Sequence, residues 1–155
     1  MNYTPKINPD GAFAEKLAST LDVLGSLVGE INVANGWDTS RGMIASPDDY
    51  DPKWVVAHKI AELGLIDTEV SEAIEEVRHG RAMSETYYPT VQGEYSHQPG
   101  TDFPVKPEGV PSELADVLIR VLDIADAYGI NLGRIVVEKL NHNATRGQHH
   151  GGKAL

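Results

Sequence analysis

Apolar residues recur at the three-and-four spacing of an amphipathic helix through four segments of this chain. Over residues 12–35, Phe13, Leu17, Leu21, Leu24, Leu27, Val28 and Ile31 fall on one broad face. Asn35-Gly36 is a plausible stop, and Asp10 or a neighbour a cap at the start. Asp51-Pro52 places an acid at the N-cap and proline at the first helical position, so a second helix is expected from there to His79, with Gly80 ending it. At ~1.5 Å per residue it would be about 40 Å long. Gly64 marks a small kink or a close crossing in it. A third helix is predicted from Pro111-Ser112 to Tyr128-Gly129. Its Leu114, Val117, Leu118, Ile119, Val121, Leu122 and Ile124 make it apolar enough to expect burial. Asn131 caps a fourth, over 132–145, whose apolar positions are Leu132, Ile135, Val136 and Leu140.

Two stretches interrupt the pattern. Residues 36–50 read as a loop carrying Trp37, Arg41, Met43 and Pro47. Residues 81–109 hold prolines 89, 99, 104 and 107, glycines 93, 100 and 109, and tyrosines 87, 88 and 95. They read as a long irregular insertion before the third long helix, with a short hairpin around 88–95. Long loops of this kind are often functional, and three uses are open: covering a site, meeting a partner, or a surface excursion. The fold class is therefore all-α, a four-helix bundle-like single domain over residues 1–155, with a flexible arm at 1–9 and a flexible tail at 147–155.

Composition narrows the partners. Apolar residues make up 41% of the 155, enough for a core. The net charge of -10 argues against a nucleic acid polymer, whose binding rests on basic contacts. The absence of cysteine excludes disulfides and zinc–thiolate sites. There is no basic-plus-apolar leader, and no apolar run is read as long enough to span a bilayer. The expectation is a cytoplasmic protein with no membrane partner.

The candidate chemistry lies in the acids. Glu69 and Glu72 are three apart and share a helix face, with Glu76 continuing it and Glu62 close to the same line. Leu63, Ile66, Val70, Ala73, Ile74 and Val77 occupy the neighbouring sector, so the carboxylates border a packing face. Like charges at this spacing repel, and a divalent cation removes the penalty. Glu113 and Asp116 repeat the spacing on the third helix, with Arg120 and Asp123 further along that side. A buried charge is paired or metal-bound. Two acidic pairs on packed helices can surround one or two cations, and all-oxygen donors suit Mg²⁺, Mn²⁺ or Ca²⁺. The plainer alternatives are a solvated acidic face and a structural ion pair made by Arg120. His58 reads as structural or as a rim residue. Arg41 and Arg81 are candidate phosphate contacts, and Trp37 either stacks on a base or plugs the end of the bundle.

The ordered pair Glu69-Val-Ser-Glu72 and Glu113-Leu-Ala-Asp116 resembles the ExxE…ExxD signature of the all-α, MazG-like nucleoside triphosphate pyrophosphohydrolases. The SEAIEEVR and ELADVLIRVLD flanks, and a tail with Lys139, Asn143, Arg146 and HGGK, extend the likeness over roughly residues 55–153. The 40 residues between the motifs exceed the family's usual spacing. The resemblance implies Mg²⁺-dependent, or Mn²⁺-dependent, hydrolysis of a nucleoside triphosphate to monophosphate and pyrophosphate. It implies Glu69, Glu72, Glu113 and Asp116 as metal ligands, with Glu69 or Glu72 orienting the water and Glu76 in an accessory role. Lys139 and Arg146 would hold phosphate oxygens and Asn143 phosphate or sugar. A homodimer, sometimes paired into a homotetramer, is implied too. Phosphoribosyl-ATP pyrophosphohydrolase activity and a non-catalytic metal- and nucleotide-binding role are the alternatives.

Overall fold

Local chemistry sets where the helices begin and end. In the computed structural model, which describes residues 8, 11–89 and 105–144, five α-helices run in the order α1 (Ala12–Ala34), α2 (Thr39–Ala45), α3 (Pro52–Arg78), α4 (Val110–Ala127) and α5 (Leu132–Ala144). A single 3-10 turn, Pro47–Asp49, precedes α3. The described residues form no sheet. Their one β feature is an isolated antiparallel bridge between Tyr87 and Glu108. The carboxylate of Asp51 accepts from the backbone N–H of Lys53 and Trp54 at 2.7 and 3.4 Å, satisfying donors that the first turn leaves unpaired. Asn131 does the same for α5, accepting from Arg134 N–H at 3.0 Å. Gly36, Gly80 and Gly129 end α1, α3 and α4 with φ of 84°, 84° and 62°, a conformation glycine adopts without steric cost.

Several expectations change. The 36–50 loop contains α2. The cap of α1 is Gly11, without a side-chain hydrogen bond, not Asp10. Helix α4 begins at Val110, so Ser112 sits inside its first turn and donates its hydroxyl to Pro107 O at 2.8 Å. Nothing approaches Gly64 within 4 Å of where a Cβ would stand, so it serves no close crossing. Helix α1, at 23 residues, is after all long and apolar enough to cross a membrane by length and composition. The hairpin around 88–95, the arm and the tail lie wholly or mostly outside the described residues.

The chain divides into two compact units, one drawn from Met1–Ala45 and Leu122–Leu155, the other from Ser46–Val121. In the first, close backbone approach selects which face is buried. Ala14, Gly25, Val28 and Gly29 are the buried residues of α1, while Phe13, Leu27 and Ile31 stay half-exposed or more. A Cβ on Gly133 of α5 would stand 2.2 Å from Ala18 Cα, so α5 meets α1 through a contact only glycine permits. Gly133 and Val137 are buried on α5, whereas the expected Ile135 and Leu140 are about half-exposed. Ser40 and Met43 of α2 are buried here. Arg41 pairs with Asp123 at 3.0 Å and Asp126 at 2.7 Å. That double ion pair draws α2 into the unit, takes up the arginine expected to meet phosphate, and removes Asp123 from the acidic line expected on α4.

In the second unit the buried residues are Glu69, Ala73, Gly109, Val110 and Glu113. Two of these five are carboxylates. Along α3, Ile60, Leu63, Val70, Ile74 and Val77 are between 42% and 65% exposed, and Leu114, Leu118 and Ile119 of α4 are 52%, 45% and 40% exposed. The burial expected of α4 is thus incomplete within one chain.

The two ends of the insertion are tied down. Tyr87 and Glu108 exchange backbone hydrogen bonds of 3.1 and 2.9 Å, and the Tyr87 hydroxyl donates to Glu76 Oε1 at 3.2 Å. Arg81, the other expected phosphate contact, bonds Glu85 at 2.7 Å and lies over the Tyr87 ring at 4.0 Å. At the far end Gly109, with φ of 102°, passes so close to Glu85 O that a Cβ would stand 2.4 Å from it.

Candidate metal centre

Helical spacing puts Glu69 and Glu72 one turn apart on α3, and α4 brings Glu113 to them. One carboxylate oxygen from each of the three lies within 4.8 Å of the others. Glu69 is 7% exposed and Glu113 3%, while Glu72 faces solvent. This is a cup with two buried walls and one open side. Asp116, a turn beyond Glu113, is not in that set, but its charge reaches both Glu69 and Glu72.

The electrostatics are those of a site short of positive charge. Burial first, then repulsion from Glu72 and Asp116 and a hydrogen bond with Glu72, push the Glu113 carboxyl from the ordinary 4.5 up to about 7, with Lys106 pulling the other way. Asp116 is also raised, by burial and then by Glu69, with Lys106 and Arg120 opposing. Glu113 Oε2 is buried with no hydrogen-bond partner among the described residues. A buried acceptor left unpaired is costly, and a cation among these oxygens would satisfy it. The donors are all hard carboxylate oxygens, which fits a hard divalent cation. Glu76 Oε2 is a second buried acceptor without a partner, on the helix turn after Glu72.

Glu69, Glu72 and Glu113 come together, three of the four acids that the resemblance implies as ligands. Arg120 does make the ion pair held open as an alternative, its Nε donating to Glu69 Oε1 at 3.0 Å. His58 stacks on Trp54, whose ring stacks in turn on Tyr50, and its Nε2 is 3.7 Å from Glu62. Trp37, Lys139 and Asn143 belong to the other unit. Trp37 is 62% exposed, which removes the support for its role as a plug. Lys139 and Asn143 lie a turn apart on exposed α5 positions. Arg146 lies outside the described residues. Lys106 went unread in the sequence. It stands in the aperiodic, proline-rich insertion, where no helical register links it to an acid. Its ammonium is 3.2 Å from Glu108, and its charge acts on both Glu113 and Asp116.

No family model, no curated protein and no solved structure matches the chain. What stands is an all-α protein with a carboxylate cluster that can hold a divalent ion.

Proposed function

We propose that this protein is a Mg²⁺-dependent nucleoside triphosphate pyrophosphohydrolase of the MazG-like type, releasing monophosphate and pyrophosphate. The convergence of Glu69, Glu72 and Glu113, with one Glu113 oxygen buried and unpaired, is the observation that carries the metal-dependent part. The ordered ExxE and ExxD motifs supply the choice of reaction. A divalent ion bound there supplies Lewis-acid stabilisation of phosphate charge and activation of water. Glu69 and Glu113 form the rigid wall of the cup, since both are buried on helices. Of Glu69 and Glu72, the two candidates for orienting the water, the exposure of Glu72 favours it as the carboxylate that would accept a proton from an attacking water. Lys106 adds positive charge on the insertion side, where triphosphate oxygens would be drawn. Lys139, Asn143 and Arg146 remain proposed contacts to phosphate and sugar.

The protein acts in this reading as a homodimer at least. Residues 56, 60, 63, 67, 70, 74 and 77 alternate at spacings of four and three along α3, which is the seam of a helix pair. Val56, Ile60, Leu63, Val70, Ile74 and Val77 are exposed apolar side chains of this stripe, and Asp67 is its one polar position. A second copy laying its own α3 there would cover the stripe.

The test is a panel of nucleoside triphosphates and phosphoribosyl-ATP, scored for pyrophosphate with and without Mg²⁺. Pyrophosphate release that depends on Mg²⁺ and falls at least a hundredfold in Glu72→Gln supports the reading. Turnover of phosphoribosyl-ATP alone selects the related enzyme. Binding of metal and nucleotide without release selects a regulator.

A further inference from the structure

The cup already holds a cation of its own. Arg120 lies on α4 one turn beyond Asp116, and its Nε donates to Glu69 Oε1 at 3.0 Å. The Glu69 side chain is 10% exposed and the Arg120 side chain 33%. The pair therefore has a buried acid and a partner that retains a path to solvent. Glu69 is one of the three carboxylates whose oxygens converge within 4.8 Å. A guanidinium N–H and a metal ion both seek the oxygens of a carboxylate, and both are drawn by the same local excess of negative charge.

We propose that Arg120 is a resident counter-cation on Glu69, which a divalent ion entering the cup must displace, so that Arg120 sets the metal concentration at which the site fills. This inference rests on the metal reading above. Without a metal, Arg120 offsets the mutual repulsion of Glu69, Glu72 and Asp116 and keeps a buried carboxylate paired. With a metal, the same contact is a competing state, and the apparent affinity is the intrinsic one multiplied by the fraction of sites in which Glu69 is disengaged from Arg120. The Arg120 side chain, one-third exposed, has a path to solvent by which its head can leave Glu69 without unpacking α4. The device suits a site that should fill at the magnesium concentration around it and stay charge-balanced when that ion is scarce.

The experiment is Mn²⁺ titration of the full chain, followed by calorimetry and by the electron paramagnetic resonance signal of free Mn²⁺. Arg120→Met is expected to tighten Mn²⁺ binding about tenfold, and Arg120→Lys, which keeps the charge, to stay within about threefold of wild type. In wild-type protein the Arg120 Nε–H resonance should shift as Mg²⁺ saturates the site, because its acceptor is taken away. This last measurement decides the matter if Arg120→Met does not fold. Wild-type binding with unchanged or weaker affinity in Arg120→Met, or an Nε–H resonance that stays in place at saturation, would overturn the role of Arg120 and leave the metal site standing. No Mn²⁺ binding by the wild type at millimolar concentration would remove the metal reading itself, and this inference with it.

Discussion

Glu113→Gln separates a metal cup from a structural acid cluster. A carboxyl whose pKa rises from 4.5 to about 7 on folding is harder to ionise in the folded chain by about 3 kcal/mol, at ~1.36 kcal/mol per pKa unit. Between those two pH values the folded state holds a proton that the unfolded state has lost. Metal-free stability therefore falls as pH rises from about 4.5 to about 7, and the loss is complete above that window. Glutamine has the shape of the protonated acid and cannot ionise. The variant should match wild type at pH ~5 and exceed it by up to about 3 kcal/mol at pH ~8, both in EDTA. For a chain of this length that corresponds to a rise in Tm of roughly 6 to 12 °C. Urea denaturation at the two pH values measures the difference directly. Adding Mg²⁺ should stabilise wild type and leave the variant nearly unchanged, since a ligand that binds only the folded state raises its stability by mass action. Equal stability of variant and wild type at pH ~8 in EDTA would refute the buried, charge-starved state assigned to Glu113. Full Mg²⁺ stabilisation of the variant would refute its place among the ligands.

Two further outcomes test the packing. Gly133→Ala gains about 1 kcal/mol in helix propensity but drives a methyl onto the Ala18 backbone, so a net loss of roughly 2 kcal/mol is expected by denaturant titration. Leu63→Glu with Ile74→Glu places two charges in the exposed stripe of α3, and light scattering should then give the mass of one 16.8 kDa chain, while wild type gives at least two.

What the sequence determined is what depends on neighbours a turn or two away. An acid followed by proline at residues 51 and 52, Asn131 ahead of α5, and glycines at 36, 80 and 129 set most helix ends, because capping and left-handed backbone are satisfied locally. The i, i+3 spacing of Glu69 with Glu72 and of Glu113 with Asp116 was enough to put each pair on one face, because helical periodicity alone fixes that. Tertiary structure decided everything that turns on a distant partner. Helix α2 is only seven residues long and contains Gly42, so it has little tendency to form by itself. It is held by the burial of Ser40 and Met43 and by Arg41 reaching Asp123 and Asp126, 82 and 85 residues away. The faces that α1 and α5 bury follow from contacts a side chain would block, Gly133 against the Ala18 backbone and Gly29 against the Arg41 and Asp126 side chains, which favours glycine over the larger apolar residues that a pattern ranks first. Lys106 acquires its influence on the acids only because residues 81–89 and 105–109 are tied together and to α3 by the Tyr87–Glu108 bridge and the Tyr87–Glu76 hydrogen bond. Whether Arg120 or solvent met Glu69 was likewise beyond the pattern, since residues 51 positions apart meet only once α3 and α4 have packed.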